Sequence, residues 1–177
     1  MSSTIGVQNI AHTNGTVAAT VSSGGKISMT GHVLQVKNFQ TGALATGTTV
    51  IPFDDTIPQI TEGDEYMTLA FTPTSATNKL HIDVRVNITN TAEAALVVAL
   101  FVGTTANALA CFGNRADAYK NKNVSFSHHM IAGTTSELTF RVRAGANTGT
   151  TGFNAYGTAA KYGGSLASSI TIMEIGG

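Results

Sequence analysis

The feature that most constrains this chain is the segment Leu80-His81-Ile82-Asp83-Val84-Arg85-Val86-Asn87-Ile88, in which apolar and polar residues alternate without interruption. Successive side chains of a β-strand point to opposite faces, so this pattern predicts a strand with one buried face and one hydrated face. The same alternation recurs over residues 65–71, 124–130 and 138–142, and 168–175 closes the chain with a further strand. About eight strands separated by Gly-, Thr-, Ser- and Asn-rich turns predict an all-β protein, a two-sheet, jelly-roll-like β-sandwich.

Four further segments are assigned with less regular patterns. Residues 48–53 read as a strand that ends near Pro52, and 113–123 and 144–152 read as loops. The run Leu96–Val102 is apolar on both faces, which predicts a strand covered on one side by the second sheet and on the other by a partner subunit. A helix over 92–100 is the rival interpretation because Ala-Glu-Ala-Ala-Leu favours helix, whereas Val97, Val98 and the flanking Gly103 favour strand.

Residues 1–30 differ from the remainder and are predicted to form an extended arm that precedes a β-sandwich knob at 31–177. Short apolar-patterned pieces are separated by His12-Thr13-Asn14-Gly15-Thr16 and by Ser22-Ser23-Gly24-Gly25, which suits a small hairpin. Such a hairpin cannot bury a core alone, so its apolar residues need another surface. The predicted anchoring residues are Ile5, Val7, Ile10, Val17, Val21 and Ile27.

Composition narrows the choice of partner. Charged residues make up 11% of the chain, apolar residues 42%, and the formal net charge is zero. So few charges indicate that surface is buried in an oligomer, solvated by uncharged polar residues, or both. Nucleic acid is not an expected partner, because phosphate binding needs clustered Lys and Arg. The first twenty residues do not match a signal peptide and no apolar run is long enough to span a bilayer, so no membrane partner is expected.

The residues that could act as nucleophiles or metal ligands can also be explained as parts of the folded core. Cys111 follows Leu109-Ala110 and is predicted to be a small buried hydrophobe. His128 shares a strand face with Val124, Phe126 and Met130, which predicts a half-buried histidine, while His129 points to the opposite face. The alternative is that copies of one histidine bind a metal or an anion around a three-fold axis.

The acidic residues near Pro58, namely Asp54, Asp55, Glu62, Asp64 and Glu65, read as a solvated loop rather than a calcium site. The glycine-rich stretches match neither a phosphate-binding loop nor a nucleophile elbow. No nucleophile, base and orienting group can be placed together, so we expect no enzyme activity, no cofactor and no metal. The exposed-loop residues Tyr119, Tyr156 and Tyr162 are candidate receptor contacts, and packing against neighbouring loops is the alternative.

Two stretches, the amino-terminal segment and residues 31–177, resemble small tailed-bacteriophage virion proteins of the tail-fibre-like and head-decoration-like kind. The amino-terminal pattern Ser3-Thr4-Ile5-Gly6-Val7-Gln8-Asn9-Ile10 with the later Ser-Ser-Gly-Gly resembles the opening of many phage appendage proteins. Gly31-His32-Val33-Leu34-Gln35-Val36 resembles an opening strand of the same group. Phe71-Thr72-Pro73-Thr74-Ser75-Ala76-Thr77-Asn78-Lys79-Leu80 and the closing Ser169-Ile170-Thr171-Ile172-Met173-Glu174-Ile175 complete the match.

The resemblance implies a non-enzymatic structural protein on the virion surface, made in the host cytoplasm, with three-fold self-association. One expectation is a homotrimeric capsid cement or decoration protein whose arm lies on the major capsid protein. The alternative is a short tail fibre or receptor-binding head that docks on a tail or baseplate protein. The absence of a long repetitive shaft between arm and knob favours the cement interpretation. A cellular trimeric module of the tumour-necrosis-factor-like type is a third possibility.

Overall fold

The structure, a computed structural model, describes residues 6–21, 23–25 and 27–177. Within these residues the chain forms thirteen β-strands and a short 3₁₀ helix at Tyr162–Gly164. The strands are β1 (Asn9–Ala11), β2 (Val17–Val21), β3 (Ile27–Ser28), β4 (Val33–Thr41), β5 (Ala45–Gly47), β6 (Asp64–Phe71), β7 (Lys79–Asn90), β8 (Ala94–Val102), β9 (Ala110–Ala116), β10 (Lys122–Ile131), β11 (Leu138–Ala146), β12 (Thr151–Phe153) and β13 (Ser168–Ile175). In the described part of the chain, no helix has the length and apolar character needed to cross a membrane.

The eight long strands form two facing antiparallel sheets. One sheet has the order β4-β13-β7-β10 and the other has the order β6-β11-β8-β9. This arrangement is that of a jelly roll, so the predicted sandwich is confirmed. The short strands β12 and β5 extend the first sheet beside the carboxyl end of β7, on the edge of β7 that also carries β13.

The core lies between the two sheets and follows the predicted alternation. Leu80, Ile82, Val84, Val86 and Ile88 are all fully buried. They pack in one cluster with apolar residues of the facing sheet, among them Met67, Phe71, Leu96, Leu100, Phe140 and Val142. Burying each such side chain contributes about 1.5–3 kcal/mol relative to leaving it exposed, so this cluster holds the two sheets together.

Strand β8 is buried on both faces, and the helical alternative for 92–100 is wrong. Its outer face is covered by the chain's own segment 49–63, where the sequence predicted a partner subunit. A methyl group at Gly145, which pairs with Val97, would lie 2.9 Å from Cγ1 of Ile51. Ile51 is itself buried. The predicted strand 48–53 is therefore wrong: this segment crosses over the sheet with an apolar side chain facing it, and it joins no ladder.

Two predicted loops and the predicted burial of Cys111 also need correction. Residues 110–116 form β9 and β10 begins at Lys122, so the loop is confined to 117–121. Strand β11 continues to Ala146 and β12 begins at Thr151, which shortens the second loop. Cys111 is exposed because it lies on the outward face of β9, at the edge of its sheet.

The amino-terminal strands form a separate three-stranded antiparallel sheet in the order β1-β2-β3. A turn at 12–16 joins the first two strands, and its His12 N–H donates to the Thr16 carbonyl at 2.8 Å. The chain then meets the carboxyl end of β13. There the Gly31 N–H donates to the Gly176 carbonyl at 2.8 Å, and the Gly176 N–H donates to the His32 carbonyl at 2.9 Å. The jelly roll begins directly after this junction.

Candidate functional sites

The arm sheet carries an apolar face that nothing in the described chain covers completely. Ile10 lies opposite Ala19 and Ile27 lies opposite Val21, and residues paired in this way share one face of an antiparallel sheet. Val17 instead pairs with Ala11, which follows Ile10 in β1 and points to the opposite face, and the ladder has a register shift at this point. Ile10, Val17 and Ile27 each expose about half of their surface, at 49%, 49% and 56%.

The remaining predicted arm residues fall outside this face. Val7 precedes β1 and is 46% exposed. Ile5 lies outside the described residues. The arm therefore gathers three of the six predicted anchoring residues, Ile10, Val21 and Ile27, onto one surface. Each half-exposed side chain there would gain roughly 1 kcal/mol on complete burial.

The three tyrosines predicted as receptor contacts come together at one end of the sandwich. The rings of Tyr156 and Tyr162 meet edge to face, with centroids 6.2 Å apart and an interplanar angle of 80°. The Tyr119 ring lies over Gly157, where a methyl group would approach Cδ1 of that ring to 2.7 Å. Tyr119, Tyr156 and Tyr162 remain 58%, 42% and 69% exposed. We call these three residues the tyrosine cluster.

The backbone of the tyrosine cluster is held in an uncommon conformation. Tyr119 and Tyr162 have φ values of 60° and 57°, in the left-handed region that bulky residues avoid. The Tyr119 N–H donates to the Asn90 carbonyl at 2.7 Å, and the Tyr156 N–H donates to the Ala159 carbonyl at 2.9 Å. Each strained residue costs of order 1 kcal/mol or more, and such residues concentrate at binding sites.

A buried hydrogen-bond network centred on Asn154 supports the loops that carry the tyrosine cluster. Its side-chain amide donates to the carbonyls of Thr41 and Ala43, and its carbonyl oxygen accepts from the Ser168 hydroxyl at 2.7 Å. Asn154 also has a positive φ of 52°, a conformation that Asn tolerates better than most residues. Sequence reasoning missed this residue, since its partners come from distant parts of the chain.

A second buried polar centre, Glu174, was also missed. Its Oε1 accepts hydrogen bonds from the Thr74 N–H and hydroxyl, both at 2.8 Å, and from Asn78 Nδ2 at 2.6 Å. The Ser75 N–H adds a longer bond at 3.3 Å, and Oε2 accepts from the Gln35 amide. Burial raises the pKa of Glu174, but the hydrogen bonds from Asn78, Gln35 and Thr74 outweigh it and hold that pKa below its usual value.

The Glu174 carboxylate therefore joins three segments that are far apart in the sequence. The turn Thr72–Asn78 supplies most of the donors, the opening strand supplies Gln35, and the closing strand supplies the carboxylate. The signal was present in the sequence, because Ile170, Ile172 and Glu174 alternate on one face and the acid occupies a core position. We call this arrangement the Glu174 clasp.

The two histidines of β10 point to opposite faces of the strand. His128 is half-buried on the inner face of β10, as predicted, and burial and the charge of His129 lower its pKa. His129 points outward and meets His81 of β7, with His81 Nδ1 and His129 Nε2 3.0 Å apart.

The acidic residues near Pro58 mostly accept local hydrogen bonds or form ion pairs. Asp54 accepts from the Thr56 N–H, Asp64 accepts from Thr49, and Glu65 pairs with Arg141 and Arg143. Among the described residues, no three His, Cys, Asp or Glu side chains are grouped as a metal site.

The chain is similar in structure to several solved proteins, but it matches no known family. No family model matches the chain, and no curated protein matches it. The chain is similar to dimeric latent PorU from Porphyromonas gingivalis, with 10% identity and a TM-score of 0.41, over 83% of this chain and 13% of that one. It is also similar to VP2 of an infectious bursal disease virus subviral particle, with 10% identity and a TM-score of 0.38.

The VP2 match covers 85% of this chain and 40% of the viral chain. A δ-endotoxin, Cry8Ea1 from Bacillus thuringiensis, matches at 12% identity and a TM-score of 0.26, over 78% of this chain and 18% of that one. The chain thus spans less than half the length of each of these structures.

Proposed function

We propose that this protein is a structural, non-enzymatic component of a bacteriophage virion, a homotrimeric capsid cement or decoration protein on the particle surface. The observation that carries the proposal is the arm sheet, whose half-exposed Ile10 and Ile27 share one face with Ala19 and Val21. A three-stranded sheet with an open apolar face gains stability by docking. The major capsid protein is the proposed docking partner, and neither nucleic acid nor membrane is involved.

The resemblance to phage virion proteins and the low charge support the same proposal. With charged residues at 11%, the surface is suited to close packing against other protein subunits. In this proposal the jelly roll forms a trimeric knob outside the capsid, and the arm lies on or between capsid subunits.

The test uses full-length protein added back to particles that lack it. Ile10→Asp combined with Ile27→Asp places two charges on the apolar face, and we expect capsid occupancy to fall at least tenfold while the jelly roll stays folded. Thr20→Asp is the matched control, because it lies on β2 between these two strands and points to the other face. Cryo-electron microscopy of wild-type particles should then show knob density at three-fold or quasi-three-fold capsid positions. Density confined to the tail would overturn the cement assignment.

A second candidate function is a short tail fibre or receptor-binding head docked on a tail or baseplate protein. The tyrosine cluster favours it, because three exposed aromatic side chains on strained, well-anchored loops suit recognition of a host surface. Tyr156→Ala with Tyr162→Ala should then reduce adsorption to host cells without changing the amount of protein per particle. Unchanged adsorption would argue against this candidate.

A further inference from the structure

His81 and His129 form a cross-strand pair on the outer face of the β4-β13-β7-β10 sheet. They lie directly opposite each other in a ladder that runs without irregularity from Lys79↔Ile131 to Ile88↔Lys122. Their ring centroids are 4.4 Å apart, and the planes are inclined by 41°. The pair therefore rests on a rigid backbone, and both rings are reachable from solvent because His81 is half-buried and His129 is exposed.

We propose that His81 and His129 form a two-imidazole binding site for a divalent late transition-metal ion, with Cu²⁺ bound most tightly. Metal–imidazole nitrogen distances are about 2.0–2.1 Å, so two nitrogens on one ion at angles of 90° to 109° are separated by about 2.8–3.4 Å. The distance of 3.0 Å between His81 Nδ1 and His129 Nε2 falls in this range, near its right-angled end. Square-planar or tetragonal geometry with nitrogen ligands is that of Cu²⁺ or Ni²⁺, and Cu²⁺ has the higher intrinsic affinity.

Metal binding to this pair moves one proton within a ring and releases none. In the metal-free pair one ring donates its N–H to the other ring's nitrogen. When the metal binds, the donating ring moves that proton to its other nitrogen through water, so both lone pairs face the ion. Two neutral rings release no net proton, and water molecules complete the coordination.

Two further side chains lie near the pair on the same face. Met173 of β13 lies opposite His81 in the same row of the sheet, on the side away from His129. Imidazole ligands suit zinc, copper and nickel alike, so the preference for Cu²⁺ rests on the nitrogen geometry and on its higher intrinsic affinity. Asp83 lies two residues further along the same face of β7 and contacts Arg85 at 3.3 Å.

The histidines elsewhere provide controls. His32 is exposed, and its Nδ1 lies 3.1 Å from the Thr30 carbonyl oxygen. His128 points to the inner face of β10, away from the pair. A site built from two histidines requires both, because the second nitrogen binds at a high effective concentration once the first is bound.

The experiment titrates full-length protein with Cu²⁺ near pH 7.5 by calorimetry, and reads nitrogen couplings by electron paramagnetic resonance. We expect one ion per chain with two coordinated imidazole nitrogens. His81→Gln and His129→Gln should each weaken binding at least about tenfold, and His32→Gln should leave it unchanged. Circular dichroism confirms that each variant is folded.

Thermal unfolding gives an independent measurement with Ni²⁺. Because an ion held by β7 and β10 binds only the folded state, Ni²⁺ should raise the midpoint of wild type and of His32→Gln but not of His81→Gln. Equal Cu²⁺ affinity in wild type and His81→Gln, or coupling to a single nitrogen in wild type, would overturn the proposal.

Discussion

The Glu174 clasp leads to the sharpest stability prediction. Glu174→Gln preserves the size of the side chain but replaces one acceptor oxygen with an NH₂ group. If that group takes the Oε2 position, it faces the Gln35 amide donor; if it takes the Oε1 position, it faces Thr74, Ser75 and Asn78. Either orientation places donor against donor.

The magnitude follows from the number and kind of hydrogen bonds. A hydrogen bond to a charged acceptor contributes about 1.5–3 kcal/mol and a neutral one about 1 kcal/mol. Each hydrogen bond that survives the replacement of the carboxylate by a neutral amide is therefore weakened by roughly 1 kcal/mol. The bonds form one network and are not additive, so we expect a total loss of about 3 kcal/mol in the free energy of unfolding. For a domain of this size that corresponds to a thermal midpoint lower by about 6–12 °C.

Glu93→Gln is the matched control, since it makes the same chemical change at the exposed pair with Arg115. The two side chains of that pair are 62% and 74% exposed, and the change should cost less than about 0.5 kcal/mol. Urea unfolding followed by circular dichroism, with the thermal midpoint as a second measurement, compares the two variants. If Glu174→Gln and Glu93→Gln lose the same amount of stability, the clasp does not stabilise the fold and the reasoning is refuted.

Three further predictions concern pH, the covering segment and the tyrosine loops. Because the folded-state pKa of Glu174 is lowered, its stabilisation is complete above about pH 4.5 and is lost as pH falls through the folded pKa; the difference in unfolding free energy between wild type and Glu174→Gln should therefore shrink on acidification. Ile51→Ala, which uncovers the outer face of β8, should lower the unfolding free energy by about 2–4 kcal/mol in urea, and a loss below 0.5 kcal/mol would contradict its role as a cover. Gly157→Ala combines a positive φ of 61° with a contact against the Tyr119 ring, so the thermal midpoint should fall and the ring's NMR signals should shift; unchanged signals would argue against that packing.

The sequence correctly predicted the strands in which every second residue is apolar and faces the core. Residues 80–88 and 124–130 each face the core with every second side chain, so their periodicity identified them as strands. The prediction for 48–53 was wrong because a short apolar run next to a proline can also be an irregular segment that packs on the outside of a sheet, as Ile51 does. Cys111 looked buried among apolar neighbours, but exposure at a sheet edge depends on strand order, which local sequence does not specify. The pairing of His129 with His81 likewise depends on the register of β7 and β10.

The two candidate interaction surfaces lie at opposite ends of the same pair of strands. The arm meets the jelly roll beside Val33 and Ile175, where β4 begins and β13 ends. At the other end, Asn154 binds the carbonyl of Thr41, and Gly42 packs so tightly on Gly164 that a methyl group there would lie 1.8 Å from the Gly164 carbonyl oxygen. The nine residues of β4 span roughly 30 Å between the two ends.

An arm bound to a particle would therefore direct the tyrosine cluster outward, and this predicts how accessible each end is. In a Cys111→Ser background, Lys161→Cys should react with a maleimide on particles as fast as in free protein, because Lys161 lies beside Tyr162 and is exposed. Ile27→Cys, on the apolar face of the arm, should react at least tenfold more slowly on particles than in free protein. Equal reaction of both positions on particles would show that the arm is not the buried end. Protection of Lys161→Cys with free reaction of Ile27→Cys would place the tyrosine cluster against the particle and reverse the proposed orientation.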